Sequence, residues 1–143
     1  MQYSVVKEFA FDAGHRVLGH GGKCRFLHGH RYRALVEVSV ETLNELKMVI
    51  DFYDLKAIIM PLVMEWDHGM ELAQGDPLGP TLVQLGQRVS LVPGNATVEV
   101  MAQVLYDRCV VALGPPYQVE SVRLWETPTC CAVVRRTASD ASW

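Results

Sequence analysis

No apolar run in this sequence approaches the roughly 20 residues that a membrane-spanning helix needs. The opening Met1-Gln2-Tyr3-Ser4 lacks the charged-then-apolar order of a signal peptide, so a cytoplasmic location is expected. Basic charge is also short: 13 Lys and Arg stand against 16 Asp and Glu, a formal net charge of -3. The concentrated basic surface that nucleic acids and anionic membranes demand is therefore not available, and any phosphate recognition must be local. The four cysteines, at 24, 109, 130 and 131, show no framework spacing. The vicinal Cys130-Cys131 pair does not readily bridge itself, so reduced thiols are expected. The sequence contains no tandem repeat or low-complexity tract.

What is present is one domain over residues 1–143, with 50% apolar and 20% charged residues, large enough to bury a core. Tyr3 to Phe11 is rich in aromatic and branched residues and reads as a strand. The glycine-rich stretch Val17 to Lys23 must be loop. Tyr32 to Glu41 alternates from Leu35 on, with Val36, Val38 and Val40 on one face and Glu37, Ser39 and Glu41 on the other, the mark of a half-buried strand. Asp51 is placed to cap a helix carrying Asp54 in its first turn. An apolar stripe follows at three- and four-residue spacing from Phe52 to Trp66, interrupted by Pro61.

Glu71 to Asn95 holds many glycines and prolines and no steady period, and reads as a long connection with at most a short element around Leu82 to Val92. Thr97 is the expected cap of a second helix, Val98 to Leu113, stopped by Gly114-Pro115-Pro116. Its apolar set includes Val100, Val104, Tyr106, Val110 and Leu113. Gln118 to Glu126 and Cys130 to Arg136 are two further strands. The order ββααββ predicts an α+β domain with a four-stranded antiparallel sheet and both helices on one face. A small open sheet has edges to cover or pair, so oligomerisation is expected.

The chemistry concentrates in Cys24-Arg25-Phe26-Leu27-His28-Gly29-His30, with His15 upstream. His28 and His30 are two apart, so on an extended strand both imidazoles face the same way. His15 is the nearest candidate for a third ligand. Three neutral imidazoles leave one tetrahedral position open on zinc, the arrangement of a catalytic site. Sequence alone names no carboxylate that supports them; Asp12 is only a candidate.

Cys24 lies between Lys23 and Arg25, where neighbouring cations favour a reactive thiolate; a buried core thiol is the alternative. His68 after Asp67 reads either as a helix end or as a general acid or base. Consecutive residues on a helix point apart, so an Asp67–His68 hydrogen bond requires a turn. Glu126 is either a solvated strand end or the acceptor of paired hydrogen bonds from an amidine-like edge such as a guanine or pterin ring. His20, Cys109 and Cys130-Cys131 read as loop, core and strand residues.

Six blocks carry a resemblance over nearly the whole chain: Phe11-Asp12-Ala13-Gly14-His15-Arg16, Cys24-x-x-x-His28-Gly29-His30, Val49-Ile50-Asp51-Phe52-x-x-Leu55-Lys56, Asp67-His68, Thr97-x-Glu99 and Glu126-Thr127. Together they resemble the 6-pyruvoyl-tetrahydropterin synthase and 6-carboxytetrahydropterin synthase family. The three residues between Cys24 and His28 look like the bacterial carboxy type. Where the family usually reads Pro-Thr-x-Glu-Asn, this chain has Ala96-Thr97-Val98-Glu99-Val100.

The resemblance implies a tunnelling fold, in which three subunits join their sheets into a barrel and two trimers stack into a homohexamer. It also implies zinc held by His15, His28 and His30, Cys24 as general base, and Asp67 with His68 as a proton-transfer pair reaching the site from a neighbouring subunit. Glu126 would anchor the pterin, assisted by Thr97 and Thr127. The implied reaction converts dihydroneopterin triphosphate to 6-carboxytetrahydropterin, with release of acetaldehyde and triphosphate, on the route to deazaguanines such as queuosine. Triphosphate elimination to 6-pyruvoyl-tetrahydropterin, aldolase-like cleavage of dihydroneopterin, and a pterin- or metal-binding module without catalysis are the alternatives.

Overall fold

The computed structural model describes residues 1–141. The chain runs β1 (Tyr3–His15), β2 (His28–Val40), α1 (Phe52–Met64), β3 (Gly69–Ala73), α2 (Leu78–Gln84), β4 (Val89–Val92), α3 (Val98–Leu113), β5 (Gln118–Thr127) and β6 (Cys130–Arg135), with short 3₁₀ turns at Lys23–Arg25 and Ala138–Ala141. The sheet has six strands in the order β4-β3-β1-β2-β5-β6. The domain is α+β, as expected, but the four-stranded antiparallel sheet is corrected. β3 pairs parallel with β1, and β4 parallel with β3, while β1, β2, β5 and β6 keep the antiparallel pairing. α2, β4 and most of β3 come from the stretch read as a long connection, Glu71 to Asn95.

β1 and β2 form a continuous ladder from Tyr3↔Val40 to His15↔His28. Both begin or end beyond the apolar patterning, and the added residues at their paired ends include His15, His28 and His30. Side chains alternate across a strand, which puts Phe9, Phe11, Ala13 and His15 on the same face as Tyr32, Ala34, Val36, Val38 and Val40. These residues are buried, and α1 and α3 pack over them. Leu55, Ile59 and Val63 line the buried stripe of α1, while Phe52, expected to lie on that stripe, is exposed. On α3 the buried positions are Met101, Ala102, Leu105 and Cys109, with Val104, Tyr106, Val110 and Leu113 only partly covered.

The caps are the expected ones: Asp51 accepts from the Tyr53 N–H at 2.7 Å and Thr97 Oγ1 from the Val100 N–H at 3.3 Å. α1 continues through Pro61 to Met64. The remaining face of the central ladder is polar, with Ser4 donating to Glu37 at 2.8 Å and Gln2 to Glu120 at 2.8 Å. No helix among the described residues is long and apolar enough to cross a membrane.

The 71–95 stretch ties itself to the loop between β1 and β2. Arg16 makes a two-point ion pair with Asp76, one bond being Nε to Oδ2 at 2.8 Å, and Asp76 is buried. The guanidinium, chiefly through this hydrogen bonding, holds the Asp76 carboxyl below the usual carboxylate range. Asn95 accepts from the Leu18 N–H at 3.0 Å and donates to the Leu18 carbonyl at 2.8 Å. Asp76→Ala removes two charge-assisted bonds and should cost about 1.5–3 kcal/mol per lost contact, less what Arg16 recovers from water. Urea unfolding would measure it, and an unchanged midpoint would mean that the ion pair does not hold the loop.

Candidate metal centre and active site

The strand periodicity that builds the core also builds the site. At the end of the β1–β2 ladder His15 faces His28, and His30 follows opposite Ala13, all three on the core face. Beyond Phe11 and Tyr32 that face carries the buried Ala13 and then the imidazoles. His15 is 1% exposed, while His28 and His30 are half-buried. His15 Nε2 lies 3.0 Å from His28 Nε2 and 3.2 Å from His30 Nε2. The three ligand atoms fall within 4.8 Å of one another.

This arrangement fits a metal ion on two independent grounds. The first is spacing: tetrahedral zinc at its usual 2.0–2.1 Å from nitrogen separates two ligands by roughly 3.3 Å, close to what the histidines already show. The second is tautomer. His15 Nδ1 is 2.7 Å from the Ala96 carbonyl and His28 Nδ1 is 2.8 Å from the Phe26 carbonyl. A carbonyl only accepts, so each ring donates from Nδ1 and turns a bare Nε2 lone pair toward the centre. Converging lone pairs repel unless a cation or proton lies between them. Burial, followed by smaller contributions from neighbouring imidazoles, works against protonation of His15 and His30 and lowers both pKa values; the Glu126 charge opposes this.

The candidate Asp12 does not reach the rings. Asp12 alternates to the other face and pairs with Arg31 at 2.9 Å, leaving backbone carbonyls to orient the rings. That role has no sequence signature, since any residue at 96 or 26 offers a carbonyl.

Glu126 joins the cluster from β5. It follows the buried Val122 and Leu124 at two-residue spacing, and its Oε1 lies 3.2 Å from His15 Nε2 and 3.4 Å from His30 Nε2. A solvated strand end is thus excluded. Thr97 and Thr127 each stand one residue from a group touching His15, namely the Ala96 carbonyl and the Glu126 carboxylate.

Cys24 occupies the 3₁₀ turn of the β1–β2 loop as a half-buried free thiol. Its carbonyl accepts from the Val17 N–H at 2.8 Å, closing the loop that Arg16 and Leu18 anchor from the other side. Cys109 is the core thiol, pushed up to about 12 by burial, and Cys130 and Cys131 are exposed. His20 is an exposed loop residue accepting from the Gly22 N–H at 2.8 Å.

Asp67 and His68 do hydrogen-bond, His68 Nδ1 to Asp67 Oδ2 at 2.7 Å. The turn this needs is present: His68 adopts a φ of 58°, and its N–H donates to the Asp12 carbonyl while Asp67 Oδ1 accepts from the Asp12 N–H at 3.0 Å. That backbone bond, then His68, holds the Asp67 carboxyl below its ordinary range. The His68 side chain is 74% exposed. It lines a groove with Asp12, Gly14, Gly29, Arg31 and Met70, which alternate away from the three histidines, and with Ala13 and His30. Among the described residues no hydrogen bond joins Cys24, Asp67 or His68 to the cluster.

The family model for 6-pyruvoyl tetrahydropterin synthase matches residues 4–137. The chain belongs to the 6-pyruvoyl tetrahydropterin synthase family. The 6-carboxy-5,6,7,8-tetrahydropterin synthase of Haemophilus influenzae is 35% identical, with 89% of this chain and 94% of that protein covered. The enzyme of the same name from Aquifex aeolicus is 33% identical, covering 90% and 95%. Among solved structures, an uncharacterised protein of Wolinella succinogenes superimposes with a TM-score of 0.84 at 25% identity, over 96% of this chain and 99% of that one. The Caenorhabditis elegans 6-pyruvoyl tetrahydropterin synthase shares the fold at a TM-score of 0.73 and 19% identity, over 96% and 97%. This chain is accordingly a tetrahydropterin-synthase-type lyase with the fold of that family, and its three-histidine cluster is compatible with the family's metal site.

Proposed function

We propose that this enzyme is a zinc-dependent 6-carboxytetrahydropterin synthase, which with water converts dihydroneopterin triphosphate to 6-carboxytetrahydropterin, acetaldehyde and triphosphate. The observation carrying the metal half is the convergence of three Nε2 atoms, with the Nδ1 atoms of His15 and His28 each held by a backbone carbonyl. The names of the relatives that align over most of their length support 6-carboxytetrahydropterin as the product.

His15, His28 and His30 would hold the zinc, which would supply Lewis acidity and a template for the substrate side-chain hydroxyls. The protein does the rest. Cys24 as thiolate takes a proton from the substrate side chain, and His68, oriented by ionised Asp67, returns or accepts protons. Glu126 accepts the amidine edge of the pterin, with Thr97 and Thr127 beside it.

The Asp67–His68 pair makes no hydrogen bond to the histidines of its own chain and His68 is exposed, so in this reading it serves the site of a second copy. That supports a homohexamer built by joining sheet edges, and a mass measurement in solution tests it: a monomer would leave each site without its His68.

A second reading, triphosphate elimination to 6-pyruvoyl-tetrahydropterin, is favoured by the family model and by the fold neighbours of that name. Mass spectrometry of products from dihydroneopterin triphosphate separates the two. 6-Carboxytetrahydropterin with acetaldehyde is expected, a pyruvoyl product would favour the second reading, and no pterin product with no triphosphate would sink both.

A further inference from the structure

Among the described residues, Glu71 is a fully buried acid with no hydrogen-bond partner at either carboxylate oxygen. Asp76, the other buried acid, has Arg16. An apolar interior does not tolerate an unpaired carboxylate unless a proton or a cation offsets it. The nearby cationic side chain, Arg88, is committed elsewhere, donating to the Met64 and Glu65 carbonyls at 3.2 and 3.3 Å. Burial pushes the Glu71 carboxyl up to about 8, against the opposing pull of its own N–H and of Arg88.

The strand register says where a compensating cation would sit. β3 runs parallel to β1 with Glu71 opposite His15. Paired residues share a face, and adjacent strands are about 4.8 Å apart. Glu71 is therefore one strand from the ring that carries the buried corner of the three-histidine cluster. Tyr32 stands on the same ground: its ring is edge-on to His15 and His30 at 6.1 and 5.5 Å between centroids. Its buried hydroxyl also lacks a partner, and the Glu126 and Glu71 charges both reach it.

We propose that Glu71 is an outer-sphere counter-charge for the divalent cation at His15, His28 and His30, a buried anion that tightens metal binding without touching the metal. Two positive charges on three neutral imidazoles leave an uncompensated field inside the domain. Glu126 offsets it from the open side and Glu71 from within the sheet. This rests on the metal reading of the site and goes beyond it by adding a residue that is not a ligand. Glu71 is a positioning residue, acting on the ion through charge rather than on substrate.

The test is zinc affinity by chelator competition on the full chain, comparing wild type with Glu71→Gln and Glu71→Leu, together with the Tm of each metal-free protein. Gln keeps the shape and removes the charge, and Leu removes the polarity as well. Both should bind zinc roughly 10–100-fold more weakly, the range found when outer-shell partners of metal ligands are lost. Both metal-free variants should melt at or above the wild-type temperature, because a buried unpaired acid has gone. Zinc affinity within twofold of wild type overturns the proposal. So does a Gln variant that no longer folds without zinc, since the residue would then be supplying a structural contact instead of a charge. A wild-type protein that takes up no zinc is a different failure, that of the metal reading itself.

Discussion

Cys24→Ala is expected to lower turnover of dihydroneopterin triphosphate by roughly 10²–10⁴-fold, the range for a lost general base, while zinc stays near one per subunit. The separation of the two readouts follows from the loop. Cys24 holds its place through backbone, the carbonyl accepting from Val17, and the loop is anchored by Arg16–Asp76 and Leu18–Asn95. None of these contacts uses the sulfur. The thiol is half-buried, so its removal opens no sealed cavity, and no hydrogen bond ties it to the three histidines. Steady-state kinetics with elemental analysis of the same sample check both halves. Normal turnover in the alanine variant would remove Cys24 from the mechanism.

His28→Ala should show the reverse pattern: metal content near zero after dialysis, activity lost with it, and no rise in Tm when zinc is added back. In the wild type, zinc at 1,000 times its dissociation constant adds about 4 kcal/mol to folding stability, a Tm increase on the order of 10 °C for a domain of this size. His28 is a cleaner choice than His15. His28 is half-buried, and its alanine variant frees the Phe26 carbonyl at an exposed position. His15 is buried, and alanine there would strand the Ala96 carbonyl and open a void beside Tyr32, confusing metal loss with unfolding. Retention of zinc by His28→Ala, measured by elemental analysis, would overturn the three-histidine centre.

The helices were legible because their signals are local. Asp51 and Thr97 cap where capping residues should, and α1 and α3 follow within a residue. The histidine pair was legible because a two-residue spacing on a strand has one geometric outcome. The stretch from Glu71 to Asn95 was not, for reasons visible in its elements. β3 and β4 are 5 and 4 residues long, pair in parallel, and give too short an alternation to register. α2 spans 7 residues and contains Gly79 and Pro80, too few for a helical period.

The same stretch holds Asp76 and Asn95, whose partners Arg16 and Leu18 lie 60 and 77 positions away, and Glu71, and no local pattern announces a long-range contact. Glu126 and the Asp67–His68 pair depend on which way a strand end or a turn is facing. The bulge beside Glu126, between Trp125 and Thr127, and the left-handed φ of His68 are conformational facts with weak sequence signals.

The ladder from Tyr3↔Val40 to His15↔His28 also works as a vernier. Sliding β2 by a single residue would carry His28 and His30 to the opposite side of the sheet from His15. Sliding it by two would restore the side but displace the imidazoles by about 7 Å along the strand. Only one alignment of the two strands presents three nitrogens to one ion. A chain that captures metal has thereby proofread its own strand pairing, and misregistered molecules should elute from a metal-affinity column with the unbound fraction.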